Sequence, residues 1–197
     1  MDKYNVYQDM SRRTGGEIYL GIVGPVRTGK STFIKRFMEL VVIPEMSDDN
    51  EKVRTIDELP QSADGKTIMT TEPKFIPKEA AVIHFSNQET GKIRLIDCVG
   101  YLVPEAVGAI EEEKERMVKT PWSEEEIPFS KAAEIGTSKV IREHSNLGLI
   151  ITTDGSFGDI PAVNFEEALQ KTVMECEKAG KPFLILVNTS RPDSQET

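Results

Sequence analysis

Gly24-Pro25-Val26-Arg27-Thr28-Gly29-Lys30-Ser31 satisfies the pattern G-x-x-x-x-G-K-[ST] at every fixed position. The run before it, Ile18-Tyr19-Leu20-Gly21-Ile22-Val23, is mostly apolar and of strand length. The run after it, Thr32 to Leu40, carries apolar residues at Phe33, Ile34, Phe37, Met38 and Leu40, a spacing that reads as an amphipathic helix. Strand, glycine-rich loop and helix thus follow in the order a phosphate-binding loop requires, whereas a chance glycine-rich turn has no such flanks. The glycines let the backbone curl until successive N–H groups converge on one anion, and the helix N-terminus adds its dipole at the same point. Lys30 is expected to reach the β- and γ-phosphates of a nucleoside triphosphate, and Ser31 to hold Mg2+. The candidate nucleotide-binding residues here are Gly24, Arg27, Thr28, Gly29, Lys30, Ser31 and Thr32.

A chain of 197 residues fits one domain with a sizeable core. Its 33 acidic against 24 basic residues give a net charge of -9, which argues against a nucleic-acid surface. No run of 18 or more apolar residues occurs, and Met1-Asp2-Lys3-Tyr4-Asn5 lacks the apolar core of a signal peptide. A soluble, cytoplasmic protein with no direct membrane insertion is expected. Cys98 and Cys176 have no Cys or His partner nearby in sequence and read as reduced core thiols.

Residues 1–16 read as a leader, with a peripheral helix over 4–13 and a turn at Thr14-Gly15-Gly16. Beyond the first helix, Pro44 and Ser47-Asp48-Asp49-Asn50-Glu51 mark a surface excursion to about Pro60, and Gln61 to Pro77 reads as a hydroxyl-rich loop. Ala80 to Ser86 and Lys92 to Val99 are strands joined by five residues, too few for a parallel crossover, so they pair as an antiparallel hairpin. His84 reads as a strand-face residue. The stretch 101–129 is acidic and broken by Pro104, Pro121 and Pro128, a solvated insertion whose Trp122 anchors it on the core or on a partner. A helix from Ser130 to His144, a strand Leu147 to Thr153, a helix Phe165 to Ala179 and a strand Phe183 to Val187 follow, and both apolar strands read as central ones. The fold class is α/β, three-layer, with a mostly parallel sheet and one antiparallel strand.

Asp97 ends an apolar strand and begins Asp97-Cys98-Val99-Gly100. A carboxylate at that end of a central strand faces the crevice where α/β sheets bind ligands, so it can hold Mg2+ while the Gly100 N–H approaches the γ-phosphate. Thr70 and Thr71 lie between the first helix and the hairpin, where one hydroxyl can complete the metal's coordination and sense the nucleotide state. The candidate catalytic residues are therefore Lys30, Thr70, Thr71 and Asp97, with Ser31, Thr71 and Asp97 as metal ligands.

The order of cradle, threonine loop, hairpin and Asp-x-x-Gly resembles the translation-factor-related, GTPase-like branch of P-loop NTPases. More closely, Arg13-Thr14-Gly15-Gly16, Val26 to Phe33, Asp57-Glu58-Leu59-Pro60-Gln61-Ser62, Gly65 to Phe75, Asp97 to Tyr101 and Ile151-Thr152-Thr153-Asp154-Gly155 resemble the N-terminal domain of the stage IV sporulation protein A family over almost the whole chain. The resemblance implies an ATPase of spore-forming bacteria that polymerises on the forespore surface, in the mother-cell cytoplasm, as the basement layer of the spore coat. It also implies self-association, other spore coat proteins and a small membrane-binding sporulation peptide as partners, and assigns cradle, sensor-threonine and metal-site positions to Lys30, Thr70, Thr71 and Asp97. Family members run on through further domains, so a domain truncated at its C-terminus is expected.

Two departures stand out. Where a GTPase of this branch has Asn-Lys-x-Asp, this chain has Asn188-Thr189-Ser190-Arg191. Guanine offers two adjacent donors to a carboxylate, and the Arg191 guanidinium accepts nothing, so ATP rather than GTP is the expected substrate. Asn188 is expected to brace the cradle and Arg191 to contact the base. Second, Tyr101 stands where many GTPases carry a water-orienting Gln. The sequence therefore points to an Mg2+-dependent ATPase, against the alternative of a nucleotide-binding switch or scaffold module, possibly GTP-binding, that barely hydrolyses.

Overall fold

The computed structural model describes residues 15–60, 72–84, 90–106, 110–111 and 114–194. Strands β1 (Glu17–Val23), β2 (Lys74–His84) and β3 (Thr90–Asp97) come first. Two short hairpins follow, β4 (Ile110–Glu111) with β5 (Lys114–Glu115), and β6 (Met117–Thr120) with β7 (Ser123–Pro128). β8 (Leu147–Thr153) and β9 (Phe183–Asn188) close the set. The main sheet has the order β2-β3-β1-β8-β9. β1 pairs in parallel with β3 and β8, β8 in parallel with β9, and only β2 with β3 is antiparallel, as the five-residue link requires.

Alternation along the central strands builds two apolar faces. Ile22, Leu95, Leu149 and Ile151 join Ile34, Met38 and Val42 on one side, whereas Val23, Ile96 and Ile150 join Val140, Ile141 and Cys176 on the other. Helix α1 (Lys30–Phe37) covers the first face. α3 (Phe129–Lys139), with its extension Val140–His144, and α4 (Glu166–Lys178) lie on the second side. The result is the expected three-layer α/β domain with a P-loop NTPase-like fold. Both cysteines are buried and free.

Several local expectations need correction. α1 does not stop near Leu40: the chain stays helical through a wide turn at Met38–Val42 and a last turn at Ile43–Glu45. Pro44 sits in the opening of that last turn, where a missing N–H costs nothing. The acidic cluster that follows is the start of helix α2 (Asp49–Glu58), not an irregular excursion. The Asp48 carboxylate caps it, accepting from the N–H groups of Asn50 at 2.7 Å and Glu51 at 3.1 Å, with Asp49 and Glu51 in the favourable first turn. β2 begins at Lys74, so residues 74–77 are strand, and its pairing slips between Ile76 and Ala81 beside Pro77, which cannot donate to the ladder.

The ends of the acidic stretch 101–129 are buried: Tyr101 and Val103 join Val26, Phe165 and Ala168 in a third apolar cluster, and Phe129 is fully enclosed. Trp122 is half-buried at the β6–β7 turn. β8 is central, as expected. β9 is not: among the described residues it is the edge of the sheet, and Leu184, Ile185 and Val187 are 65%, 49% and 42% exposed. No described helix is long and apolar enough to cross a membrane.

Candidate nucleotide-binding site

The loop from Gly24 to Gly29 leaves β1 at the centre of the sheet, and its shape depends on positions that no other residue fits. Gly24 has φ +128, and a Cβ there would lie 2.3 Å from the Ile151 carbonyl oxygen. Gly29 has φ +93, and a Cβ would lie 2.6 Å from Asn188 Nδ2. Arg27, at the exposed tip, adopts φ 64. Inside the loop the buried Thr28 hydroxyl donates to the Pro25 carbonyl at 3.0 Å, and the Phe33 N–H to Gly29 at 2.8 Å as α1 begins. The Lys30 ammonium is enclosed within the loop, donating to the Pro25 carbonyl at 2.5 Å and to Gly24 at 3.4 Å. Burial lowers its pKa, while Cys98 and Asp97 act in the opposite direction. An ammonium destabilised in this way gains from an anion brought beside it.

Asp97 ends β3 opposite Ile22 of the neighbouring β1, which carries its carboxylate to the foot of α1. There the Ser31 hydroxyl donates to Asp97 Oδ2 at 2.8 Å. Asp97 Oδ1 is sealed from solvent and has no hydrogen-bond partner. Burial raises the Asp97 pKa, opposed by the Ser31 bond and by Lys30 and Lys74. A buried orphan carboxylate oxygen next to a serine hydroxyl is a hard-oxygen donor set that suits Mg2+, which binds through one or two protein oxygens plus phosphates and waters. The described residues hold no cluster of three or more His, Cys, Asp or Glu that could hold a metal ion. Gly100, with φ +92, presses on the loop from the same side: a Cβ would lie 2.1 Å from the Gly24 carbonyl oxygen and 2.7 Å from Lys30 Nζ.

The other end of the crevice lies past β8 and β9. Asn188 Nδ2 donates to the Thr28 carbonyl at 3.1 Å, the brace that the sequence suggested. The next residues are stapled to the loop after β8: Thr189 Oγ1 donates to Asp154 Oδ2 at 2.7 Å, and the Ser190 N–H donates to Ser156 Oγ at 2.8 Å. Bonds from Ser156 and Thr189 hold the Asp154 carboxyl down at about 2. Arg191 is exposed beyond the staple, and Thr32 is exposed on the first turn of α1. Tyr101 turns its hydroxyl to Glu175 of α4, donating at 2.7 Å.

The structure thus gathers Gly24, Thr28, Gly29, Lys30, Ser31, Asp97, Gly100 and Asn188 at the loop between β1 and α1. Thr70 and Thr71 lie outside the described residues. Sequence reasoning missed Thr189 and Asp154 as a pair, since 35 residues separate them. Glu175 carried no signal at all, being one of several acids on a helix.

A family model described as "Stage IV sporulation protein A, ATPase domain" matches residues 1–197. The chain is 56% identical over 197 residues to the stage IV sporulation protein A of Bacillus subtilis, and 54% identical over the same length to that of Bacillus anthracis. In both cases the match takes in all of this chain and 40% of the relative. The protein of the same name from Clostridioides difficile is 50% identical over 193 residues, 98% of this chain and 39% of the relative. The chain belongs to the stage IV sporulation protein A family, over the stretch described there as the ATPase domain.

Proposed function

We propose that this domain binds ATP with Mg2+, hydrolyses the β–γ phosphoanhydride, and uses that hydrolysis to change the shape of the threonine loop and so drive self-assembly of a spore coat protein at the forespore surface. The observation that carries the reading is the Ser31–Asp97 bond, with its orphaned buried oxygen, beside a lysine enclosed in a glycine-bound loop.

Each residue then has a separate task. The loop N–H groups and the α1 N-terminus take up phosphate charge, and Lys30 exchanges its carbonyl partners for β- and γ-phosphate oxygens. Ser31, Asp97 and Thr71 would hold Mg2+, which would supply neutralisation of phosphate charge. The Gly100 N–H faces the γ-phosphate, Thr70 and Thr71 respond to its presence, and water replaces the ADP oxygen on the γ-phosphorus. Asn188 holds the loop in shape, and Arg27, Thr32 and Arg191 flank the nucleotide from exposed positions. Further coat proteins and a small membrane-binding sporulation peptide are proposed as partners, largely through regions that the relatives carry outside the matched 40% of their length.

Phosphate release over time at saturating ATP and Mg2+ tests the reading. Sustained release of many phosphates per chain, abolished by chelating the metal, is expected. Tight binding with release that stops at one phosphate per chain would leave a binding switch in place of an ATPase.

A further inference from the structure

The segment that follows Gly100 is fastened through both halves of one residue. The Tyr101 carbonyl accepts from the Val26 N–H of the cradle at 2.9 Å, in a parallel bridge with Pro25. The Tyr101 ring is 3% exposed, packed among Val26, Val103, Phe165 and Ala168, with the Lys171 ammonium 4.8 Å from its centroid. Its hydroxyl donates to Glu175 Oε2, while Oε1 of the same carboxylate accepts from Ser138 Oγ at 2.7 Å and Arg142 Nε at 2.8 Å. One carboxylate, its side chain 16% exposed, thereby collects donors from the Gly100 segment, from α3 and from the extension of α3.

A purely space-filling ring needs no hydroxyl, and a surface glutamate needs no three donors. Burial would raise the Glu175 carboxyl, but the bonds from Ser138, Tyr101 and Arg142 outweigh it and hold the group below its ordinary range. Burial and the bond to Glu175 raise the Tyr101 phenol, so the proton stays on the tyrosine and the tyrosine donates. Between these ties, the Gly100 backbone is pressed so close to Gly24 that a Cβ would overlap the Gly24 oxygen. A rotation at Tyr101 therefore drags the Gly100 peptide away from the cradle.

We infer that Glu175, acting through Tyr101, is a positioning residue for hydrolysis: it presets the Gly100 N–H against the cradle and keeps the following segment from swinging as a free switch. A tyrosine hydroxyl committed to Glu175 is not the group that orients the attacking water. This inference rests on the ATPase reading above and adds a residue in α4 that touches neither phosphate nor metal.

Tyr101→Phe, Glu175→Gln and Glu175→Ala test it, with kcat and KM for ATP read alongside the Kd of ADP and of a non-hydrolysable ATP analogue. Tyr101→Phe keeps the ring and removes only the hydroxyl. It is expected to lower kcat about tenfold, the size of one net hydrogen bond, with analogue affinity falling severalfold and ADP affinity unchanged. Glu175→Gln, which can still accept from Tyr101, should lie between parent and Glu175→Ala. Parental kcat in Tyr101→Phe, or equal loss of ADP and analogue binding, overturns the inference. If Glu175→Ala fails to fold, Tyr101→Phe decides alone. A parent chain that binds nucleotide without turnover overturns the ATPase reading instead, and the ratio of analogue to ADP affinity in Tyr101→Phe then decides the positioning role.

Discussion

The two ends of the crevice are held by different kinds of contact. At the phosphate end, main chain meets main chain: Gly24 against Ile151, Gly100 against Gly24, Tyr101 against Val26. At the base end, each tie involves at least one side chain: Asn188 to the Thr28 carbonyl, Thr189 to Asp154, and the Ser190 N–H to the Ser156 hydroxyl. Backbone contacts cannot be relieved by a change of rotamer, so substitutions at the first end act as a switch. Hydrogen bonds that depend on a side chain can be removed singly, so the second end is adjustable, and on the proposed ATPase reading this is where nucleotide choice is expected to change without loss of the fold.

The sharpest break in the comparison is Gly100→Ala. A methyl group 2.1 Å from a backbone oxygen at φ +92 must displace either the cradle or the Asp97–Tyr101 segment. Loss of measurable nucleotide binding is expected, together with a stability cost of at least about 1–3 kcal/mol for the backbone strain alone; calorimetric titration and melting read the two parts. Parental binding would mean the close approach has no functional weight. Next come Lys30→Ala and Asp97→Ala, which should lower turnover by about 100-fold or more while melting far closer to the parent than Leu95→Ala, whose buried side chain is worth about 2–5 kcal/mol. A melting shift as large as that of Leu95→Ala would make either residue structural.

A smaller effect is expected at the base end. In competition, ATP should bind at least as tightly as GTP, and Thr189→Val should weaken ATP only severalfold. The Asp154 carboxyl is lowered from 3.8 to about 2, so its contribution is complete above the higher value and fades only as pH falls through the lower. The Thr189→Val effect should therefore stay constant from about pH 5 to 8. A clear GTP preference would mean that another segment reads the base. Least of all is expected to change when Glu111, Glu112 and Glu113 are neutralised, since charge runs of this kind are usually a solvated face; a collapse of hydrolysis there would place the acidic stretch in the site.

The phosphate end was legible because its chemistry is local. Eight consecutive residues with a strand before and a helix after encode the loop, and Asp97 is placed by the end of its own strand. The base end was half legible: Asn188-Thr189-Ser190-Arg191 announced a departure, but not that Thr189 would occupy Asp154. Tyr101 and Glu175 are 74 residues apart and meet only because the segment after β3 packs against α4, where Tyr101 and Ala168 share one apolar cluster. The acidic run after Pro44 misled for a different reason, since the same carboxylates that suggest a loop are the best caps a helix can have. β8 and β9 have similar apolar sequences, and hydropathy reports that a strand is greasy, not whether anything covers it.

That last difference bears on how assembly is measured. Among the described residues β9 pairs on one side only, with β8, and its Leu184, Ile185 and Val187 each keep more than a third of their surface in water. Open, apolar edges of this kind template non-native strand addition. Turbidity or sedimentation of this chain is therefore expected to carry a concentration-dependent background that owes nothing to ATP, and a rising light-scattering trace is not by itself a polymer. Placing a lysine at position 184 or 185, a device by which natural edge strands resist stacking, would strip out that background and leave the nucleotide-dependent signal to be read.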